Sequence, residues 1–413
     1  MAIRIVPPAG PARMLAQAQL TNAIGDGAYY VTSALYFTLF IGLTPTQVGL
    51  GLTLGWAIGS VVGVPLGYLA DRRGPRGIAV LLAVATGLSV ASFLLVRSFV
   101  PFLIAACLYA SCQCGLGAAR QALLAGLVDK EKRTEVRAYL QSTVNAGLAV
   151  GAALGGLALT LNTRTAFLVV FAIDAVSFLL SALALRRLPA VAASPRGPSG
   201  EPALAVLRDK PYTLVTFLNT IMLFYMPLLS LVIPLWLVQR TAAPHWMVSA
   251  LLVLNTLSVV IFQVRVASRV TGLTSAARSV RLAGIAMLAA CAVFALSSLG
   301  SSAWLAGLVL LAGAVLQVIG EMMLGAGSWE IGFDLAPAGK QGQYQGFFGT
   351  STAIARMAGP LALTTLIITW GTPGWIVLGV LFLLAGTAMG PAVRWAERTR
   401  VPAAVRLSAD PVR

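Results

Sequence analysis

From residue 14 to residue 394 the chain is a succession of apolar runs of ~20 residues, separated by short segments that gather proline, glycine and charge. A helix of that length rises ~30 Å, the thickness of a bilayer's hydrocarbon core. In that medium every backbone polar group must be satisfied within its own segment, which leaves helices as the economical solution for runs this long. The chain is 58% hydrophobic and only 10% charged, so its apolar surface exceeds what soluble domains would bury. The pattern predicts an all-α polytopic membrane protein with spans near 14–41, 46–70, 76–97, 99–128, 135–160, 164–185, 212–240, 245–270, 279–300, 303–334, 343–370 and 374–394.

The net charge of +16 invites a nucleic-acid reading, but its distribution argues against one. When alternate loops are assigned to opposite sides, one side keeps only Arg97, Arg164 and Arg240. Arg120 and Arg356 fall inside spans, and the remaining basic residues, Arg4 and Arg13 to Arg406 and Arg413, gather on the other side. By the positive-inside bias, both termini and the central linker are expected in the cytoplasm of a cell whose inner membrane holds the chain. An even number of spans follows, and twelve are expected. Residues 1–13 hold three prolines and no apolar core, so no cleaved leader is expected. Cys107, Cys112, Cys114 and Cys291 fall within spans, without the setting of an external disulfide framework. His245 stands alone, and no metal site is expected.

Between the second and third runs lies Gly67-Tyr-Leu-Ala-Asp71-Arg72-Arg73-Gly74-Pro-Arg76-Gly77, with several charges in a glycine-bounded turn. This stretch resembles the signature loop of the major facilitator superfamily, Gly-x-Leu-Ala-Asp-Arg-x-Gly-Arg-Lys. Gly67, Leu69, Ala70, Asp71, Arg72, Gly74 and Arg76 stand in register, and Pro75 replaces the first late basic residue. The resemblance implies two pseudo-symmetric six-helix bundles that rock about a central cavity. It also implies that Asp71, Gly67, Arg72, Gly74 and Arg76 form a conformational latch. Asp71 would sit against the positive N-terminal end of span 11, near Gln343.

The segment 186–210 is the one long charged, Pro/Gly/Ser-rich interruption, and it divides the chain into halves at 14–185 and 211–394. Segments 1–13 and 395–413 read as a cytoplasmic N-terminal segment and tail. A shift of 208 residues aligns Gly117 with Gly325, Leu127 with Leu335, Lys132 with Lys340 and Gly151 with Gly359, as an internal repeat would. In span 5, Gly147, Gly151 and Gly155 recur every fourth residue, which allows close helix packing. The run resembles the helix-5 motif of the superfamily's twelve-helix drug:proton antiporter branch, Gly-x-x-x-Gly-Pro-x-x-Gly-Gly. Ala152 stands where the proline belongs, and the proline appears at the repeat position, in Gly359-Pro360. That branch often carries an arginine in span 4 at a position matching Ser111, where this chain has none.

Ionisable side chains at bilayer depth usually face a cavity, a partner or a pathway. Asp26 lies about twelve residues into span 1, ~18 Å deep at ~1.5 Å per residue. Glu321 aligns through the repeat with Gln113 and should reach similar depth. In the resembled architecture spans 1, 4, 7 and 10 line the cavity, so Asp26, Glu321 and Arg120 are expected to converge there. Such a carboxylate favours neutrality when desolvated and charge beside a cation, so it can load and release a proton as the halves move. Asp26 or Glu321 is the expected proton carrier, with Arg120 or Arg356 as counter-ion; a static buried ion pair is the alternative. Asp174, in peripheral span 6, is a weaker candidate.

Tyr29, Tyr30 and Phe37 of span 1 and Asn219, Met222, Phe224 and Tyr225 of span 7 supply an aromatic and methionine-rich wall suited to bulky apolar or cationic ligands. Pro227 and Pro234 should bend span 7. No Gly-x-x-x-x-Gly-Lys-Ser/Thr loop and no soluble catalytic domain is visible, so neither ATP-driven transport nor an enzyme is expected. The leading expectation is a monomeric secondary exporter of small amphiphilic or drug-like compounds. The proton gradient would be the coupling ion, with no cofactor. The alternatives are a proton symporter or facilitator importing a sugar or organic acid, and a membrane sensor with the carrier fold.

Overall fold

The computed structural model describes residues 10–193, 204–299 and 302–408, with side chains up to Arg400. Arg4, Arg196 and Arg413 lie outside the described residues, as does part of the 186–210 segment. Among the described residues the secondary structure is entirely helical. The helices are α1 (Pro11–Leu39), α2 (Pro45–Arg73), α3 (Pro75–Ser92), α4 (Phe99–Leu127), α5 (Arg133–Leu161), α6 (Arg164–Arg186), α7 (Lys210–Leu223), α8 (Ile233–Arg240), α9 (Met247–Ala267), α10 (Leu273–Leu296), α11 (Ala303–Asp334), α12 (Gln341–Leu363) and α13 (Thr372–Ser408). Helices α7 and α8 make one span, Lys210–Arg240.

Eleven segments among the described residues are long and apolar enough to cross a membrane. Helix α1 has the length, at 29 residues, but is not among them. Its Gln17, Gln19, Asn22 and Asp26 interrupt its apolar run. Another departure lies at the chain's end, where α13 runs on to Ser408 rather than stopping at 394. The segment after Trp395 is rich in Ala and Arg, both good helix formers, and contains no glycine to end the helix, although Pro402 lies within it.

Local chemistry sets several boundaries. Thr44 and Gln47 form a reciprocal cap at α2, each side chain meeting the other's backbone N–H at 3.2 and 2.9 Å. Gly74, at φ 92°, both ends α2 and starts α3, a conformation that favours glycine. The span Lys210–Arg240 is interrupted where α7 stops at Leu223 and a five-residue π-helical turn, Leu228–Val232, precedes α8. Pro227 and Pro234 flank that turn; each lacks an N–H donor, which loosens the helical ladder there.

The chain divides into two compact units. The first comprises Met1–Leu204, Val259–Val264 and Ala338–Met357; the second comprises Ala205–Ser258, Arg265–Pro337 and Ala358–Arg413. A division at 186–210 alone differs from this in two segments, because a short stretch of α9 and most of α12 join the first unit.

In the first unit α1 packs on α5 and α6, α2 on α4, and α3 on α4 and α6. Glycines set these approaches. A β-carbon at Gly147 would come within 2.7 Å of Ala23 Cβ, one at Gly155 within 2.9 Å of Ala28 O, and one at Gly151 would run into Ile24 O. A second stripe, missed in the sequence, seats Gly51 on Phe102, Gly55 on Ala106, Gly59 on Ala110 and Gly63 on Cys114. An aromatic core of Tyr29, Phe37, Phe93, Phe102 and Phe171 fills one end of the unit.

In the second unit α10 packs on α11 and α13, and α13 on α7. Trp236 and Trp375 meet edge to face at 5.7 Å, and Trp236 Nε1 donates to Ser297 Oγ at 3.0 Å. Asp209 caps α7 through Tyr212 N at 3.0 Å and accepts from Arg400 of α13 at 2.9 Å.

Candidate functional site

Helical spacing brings polar side chains of α1 and α4 face to face. Asn22, Asp26 and Tyr29 stand at intervals of four and three residues, and Tyr109, Gln113 and Arg120 at intervals of four and seven. Each set lies along one side of its helix. Tyr109 Oη donates to Asp26 Oδ1 at 3.3 Å, and Gln113 Nε2 donates to Oδ1 and Oδ2 at 3.4 and 3.5 Å. Asp26 remains half-buried. Its bonds are long and come from neutral donors, and no cation reaches ion-pair distance among the described residues.

Arg120 is not that partner. It donates to Asn22 Oδ1 and to Ser181 Oγ, each at 2.8 Å, while its Nε has no hydrogen-bond partner among the described residues. Its charge still acts on Asp26 through space, as does that of Arg356. Arg120 and Asp26 are therefore linked through space rather than by a salt bridge. Asp174 of α6 is fully buried; Ser177 Oγ lies 3.4 Å from its Oδ1, and its Oδ2 has no partner among the described residues. Its Oδ1 lies so close to Gly25 that a β-carbon there would collide with it.

Arg356 belongs to the stretch of α12 that joins the first unit. Its guanidinium lies 5.6 Å from the centre of the Trp56 ring. Trp56 in turn meets Tyr109 edge to face at 6.4 Å. The result is a continuous line from Arg356 through Trp56 and Tyr109 to Asp26.

The second unit holds a comparable arrangement on its own helices. Glu321 of α11 is half-buried; its Oε2 accepts from Asn255 Nδ2 at 2.8 Å, and Tyr225 is a second hydrogen-bond partner. The repeat shift carries Arg120 to Ser328, and Ser328 Oγ donates to Asn219 Oδ1 of α7 at 2.7 Å. Thus α4 binds an asparagine on α1, and α11 binds an asparagine on α7.

At the charged loop, Asp71 Oδ1 accepts from Gly342 N at 2.7 Å and Oδ2 from Gln343 N at 2.9 Å, the first turn of α12. Gly67 and Gly342 touch through their backbones, and a β-carbon at either would collide with the other's carbonyl oxygen. Arg72 lies 5.9 Å from the Tyr68 ring, and Arg76 donates to Leu188 O at 2.9 Å. Arg72 thus lies against α2 and Arg76 braces the start of the linker, while Asp71 and Gly67 meet α12.

The expected cavity wall needs correction. Tyr29 and Phe37 are buried in the aromatic core, and Asn219 and Met222 are buried within the second unit. Neighbours along a helix point ~100° apart, so a run of aromatic residues cannot share one face. Tyr30, which is 43% exposed, and the half-buried Phe224 and Tyr225 remain accessible. Gly359 packs against Pro227, where a β-carbon would come within 2.8 Å of Cγ. One residue on, Pro360 accepts at its carbonyl from Thr364 Oγ1 at 2.7 Å. Sequence reasoning missed Trp56, Tyr109, Gln113 as a donor, Asn22 and Asn255. The spacing of Tyr109, Gln113 and Arg120 against Asn22 and Asp26 was a usable signal; for Trp56 there was none.

Comparison with solved structures gives the same fold. The human organic anion transporter MFSD10 (TETRAN) aligns at 19% identity and a TM-score of 0.69, over 93% of this chain and 100% of that one. A bacterial homologue of the iron transporter ferroportin, in its outward-facing state, aligns at 16% identity and a TM-score of 0.75, over 96% and 100%. The E. coli fucose:proton symporter FucP aligns at 12% identity and a TM-score of 0.71, over 94% and 98%. No curated protein matches the sequence. The family profile described as Major Facilitator Superfamily matches residues 15–360. With most of its length so matched, its all-helical architecture and its loop around Asp71, this multi-pass membrane protein belongs to the Major Facilitator Superfamily.

Proposed function

We propose that this carrier exports a small amphiphilic compound in exchange for protons, as in the drug:proton antiporter branch. Asp26 is the proton carrier, and Glu321 is a second acid in the other unit. The observation that supports this most directly is a half-buried carboxylate in a membrane helix, held among the described residues by long bonds from Tyr109 and Gln113. A static structural charge would be expected to have a close partner, because an unpaired one costs several kcal/mol. In this reading the protein acts as a monomer in the inner membrane, with both termini and the 186–210 linker cytoplasmic. Asp71 with Gly67, Arg72, Gly74 and Arg76 forms the latch, and Gly147, Gly151, Gly155, Gly359 and Pro360 set helix packing. The cargoes named for the compared structures range from organic anion to iron to fucose, so the fold leaves the cargo to the site.

A second reading, proton-coupled import, has its own support. Two guanidiniums act on Asp26, so neutralising that acid would strengthen their hold on an anionic solute and make proton and solute bind together. Reconstituted vesicles separate the two. With the protein oriented as in the cell, an inward proton gradient should empty loaded vesicles by exchange and fill them by co-transport. Substrate movement indifferent to the gradient would overturn both.

A further inference from the structure

Arg356 stands about halfway along the apolar segment Gln341–Thr369 and is exposed. A guanidinium exposed at that depth is expensive against lipid and is instead expected to face water or a ligand. Its guanidinium lies 5.6 Å from the centre of the Trp56 ring, a cation–π contact, yet it has no hydrogen bond or ion pair among the described residues. A guanidinium whose N–H groups are unused by the protein offers them as a planar fork that matches a carboxylate. At the other end of the aromatic line, Asp26 also lacks an ion-pair partner among the described residues, and Arg120 is held by Asn22 and Ser181. The unit therefore presents a fixed cation and a fixed anion in electrostatic reach of each other but not in contact, joined by Trp56 and Tyr109.

We infer that this line is the subsite for a zwitterionic aromatic substrate, with its carboxylate on Arg356, its ring against Trp56 and Tyr109, and its ammonium toward Asp26. The inference rests on the exchange reading and deepens it. A purely anionic solute would be held more tightly once Asp26 took up a proton, the opposite of exchange. An ammonium competes with the proton for the same carboxylate, so loading one expels the other. The charged and titratable groups around Asp26 are Tyr29 and Tyr30 on α1, Tyr109 and Arg120 on α4, Asp174 on α6 and Arg356 on α12.

Binding of three probes with one ring system to the purified full-length protein tests this, without any gradient. The probes are 2-naphthylalanine, 2-naphthylpropanoate and 2-naphthylethylamine, titrated calorimetrically near neutral pH. The zwitterion should bind at least tenfold more tightly than either singly charged probe. Arg356→Gln should bring it down to the level of the amine, Arg356→Lys should recover only part because a lysine cannot form the fork, and Trp56→Ala should weaken all three. Either single-charge probe equalling the zwitterion, no binding by any probe, or unchanged zwitterion affinity in Arg356→Gln would overturn the assignment. Zwitterion preference that persists while vesicles show no proton exchange would sink the exchange reading and leave the subsite standing.

Discussion

Asp71 and Gly342 are 271 positions apart in sequence, yet the carboxylate of one accepts the backbone N–H of the other at 2.7 Å. Gln343 N adds a second bond at 2.9 Å. A carboxylate on the first turn of a helix satisfies donors that have no partner within the helix and meets the positive end of its dipole. Hydrogen bonds to a charged group contribute about 1.5–3 kcal/mol each, and about 1.4 kcal/mol is tenfold in an equilibrium. Losing this contact is enough to reset a conformational balance without unfolding the chain.

Asp71→Asn should lower transport in reconstituted vesicles at least tenfold, with a thermal midpoint within a few degrees of the parent. The amide offers one acceptor and turns a donor toward a second N–H. Full transport activity in this variant would remove the latch from the mechanism.

Gly67→Ala should reproduce that loss with Asp71 intact, since its β-carbon would collide with Gly342 O. Gly77→Ala, in the same loop but with nothing within 4 Å, serves as the control and should transport normally. Equal activity in the two variants would show that close approach of α2 and α12 is unnecessary.

Asp26→Asn mimics the protonated acid permanently. It should abolish substrate-dependent proton flux, and it should remove the pH dependence of ligand affinity that competition between proton and substrate produces in the parent. Under exchange, parental affinity rises with pH as Asp26 loses its proton. Glu321→Gln, measured in parallel with a pH-sensitive dye in vesicles, shows whether the second acid shares the role. Proton flux surviving in both variants would refute the assignment.

Gly151→Ala should destabilise the chain by roughly 1–3 kcal/mol, the usual cost of forcing extra volume into a packed contact, because α1 leaves no room beside Ile24 O. Gly156→Ala, with nothing within 4 Å, should leave the thermal midpoint unchanged. Unfolding followed in detergent distinguishes them.

Much of the fold was legible because membrane insertion imposes a local rule. Each apolar run must be long enough and must form a helix, whatever its neighbours do. The loop around Asp71 was legible for a related reason: glycine, acid and base are tied to a helix end by local geometry. Legibility faded where one helix had to be oriented against another. Tyr29 and Tyr30 are adjacent in sequence, yet packing sends the first into the aromatic core and leaves the second accessible. Arg120 stands among the expected counter-ions of the buried acids, but Asn22 and Ser181 offer its guanidinium closer acceptors than Asp26 does.

The sequence by itself determined that the chain spans a membrane as a set of helices, the residues at which it turns, and the short inventory of charges retained within those helices. These follow from hydropathy, length and backbone chemistry, which act residue by residue. Only the tertiary structure decided which side chains meet: that Asp71 reaches α12, that Trp56 lies between Arg356 and Tyr109, and that Asp26 keeps no close cation among the described residues. Those outcomes depend on the rotation and spacing of whole helices, and glycine stripes permit a close approach without specifying what the neighbouring faces will bring together.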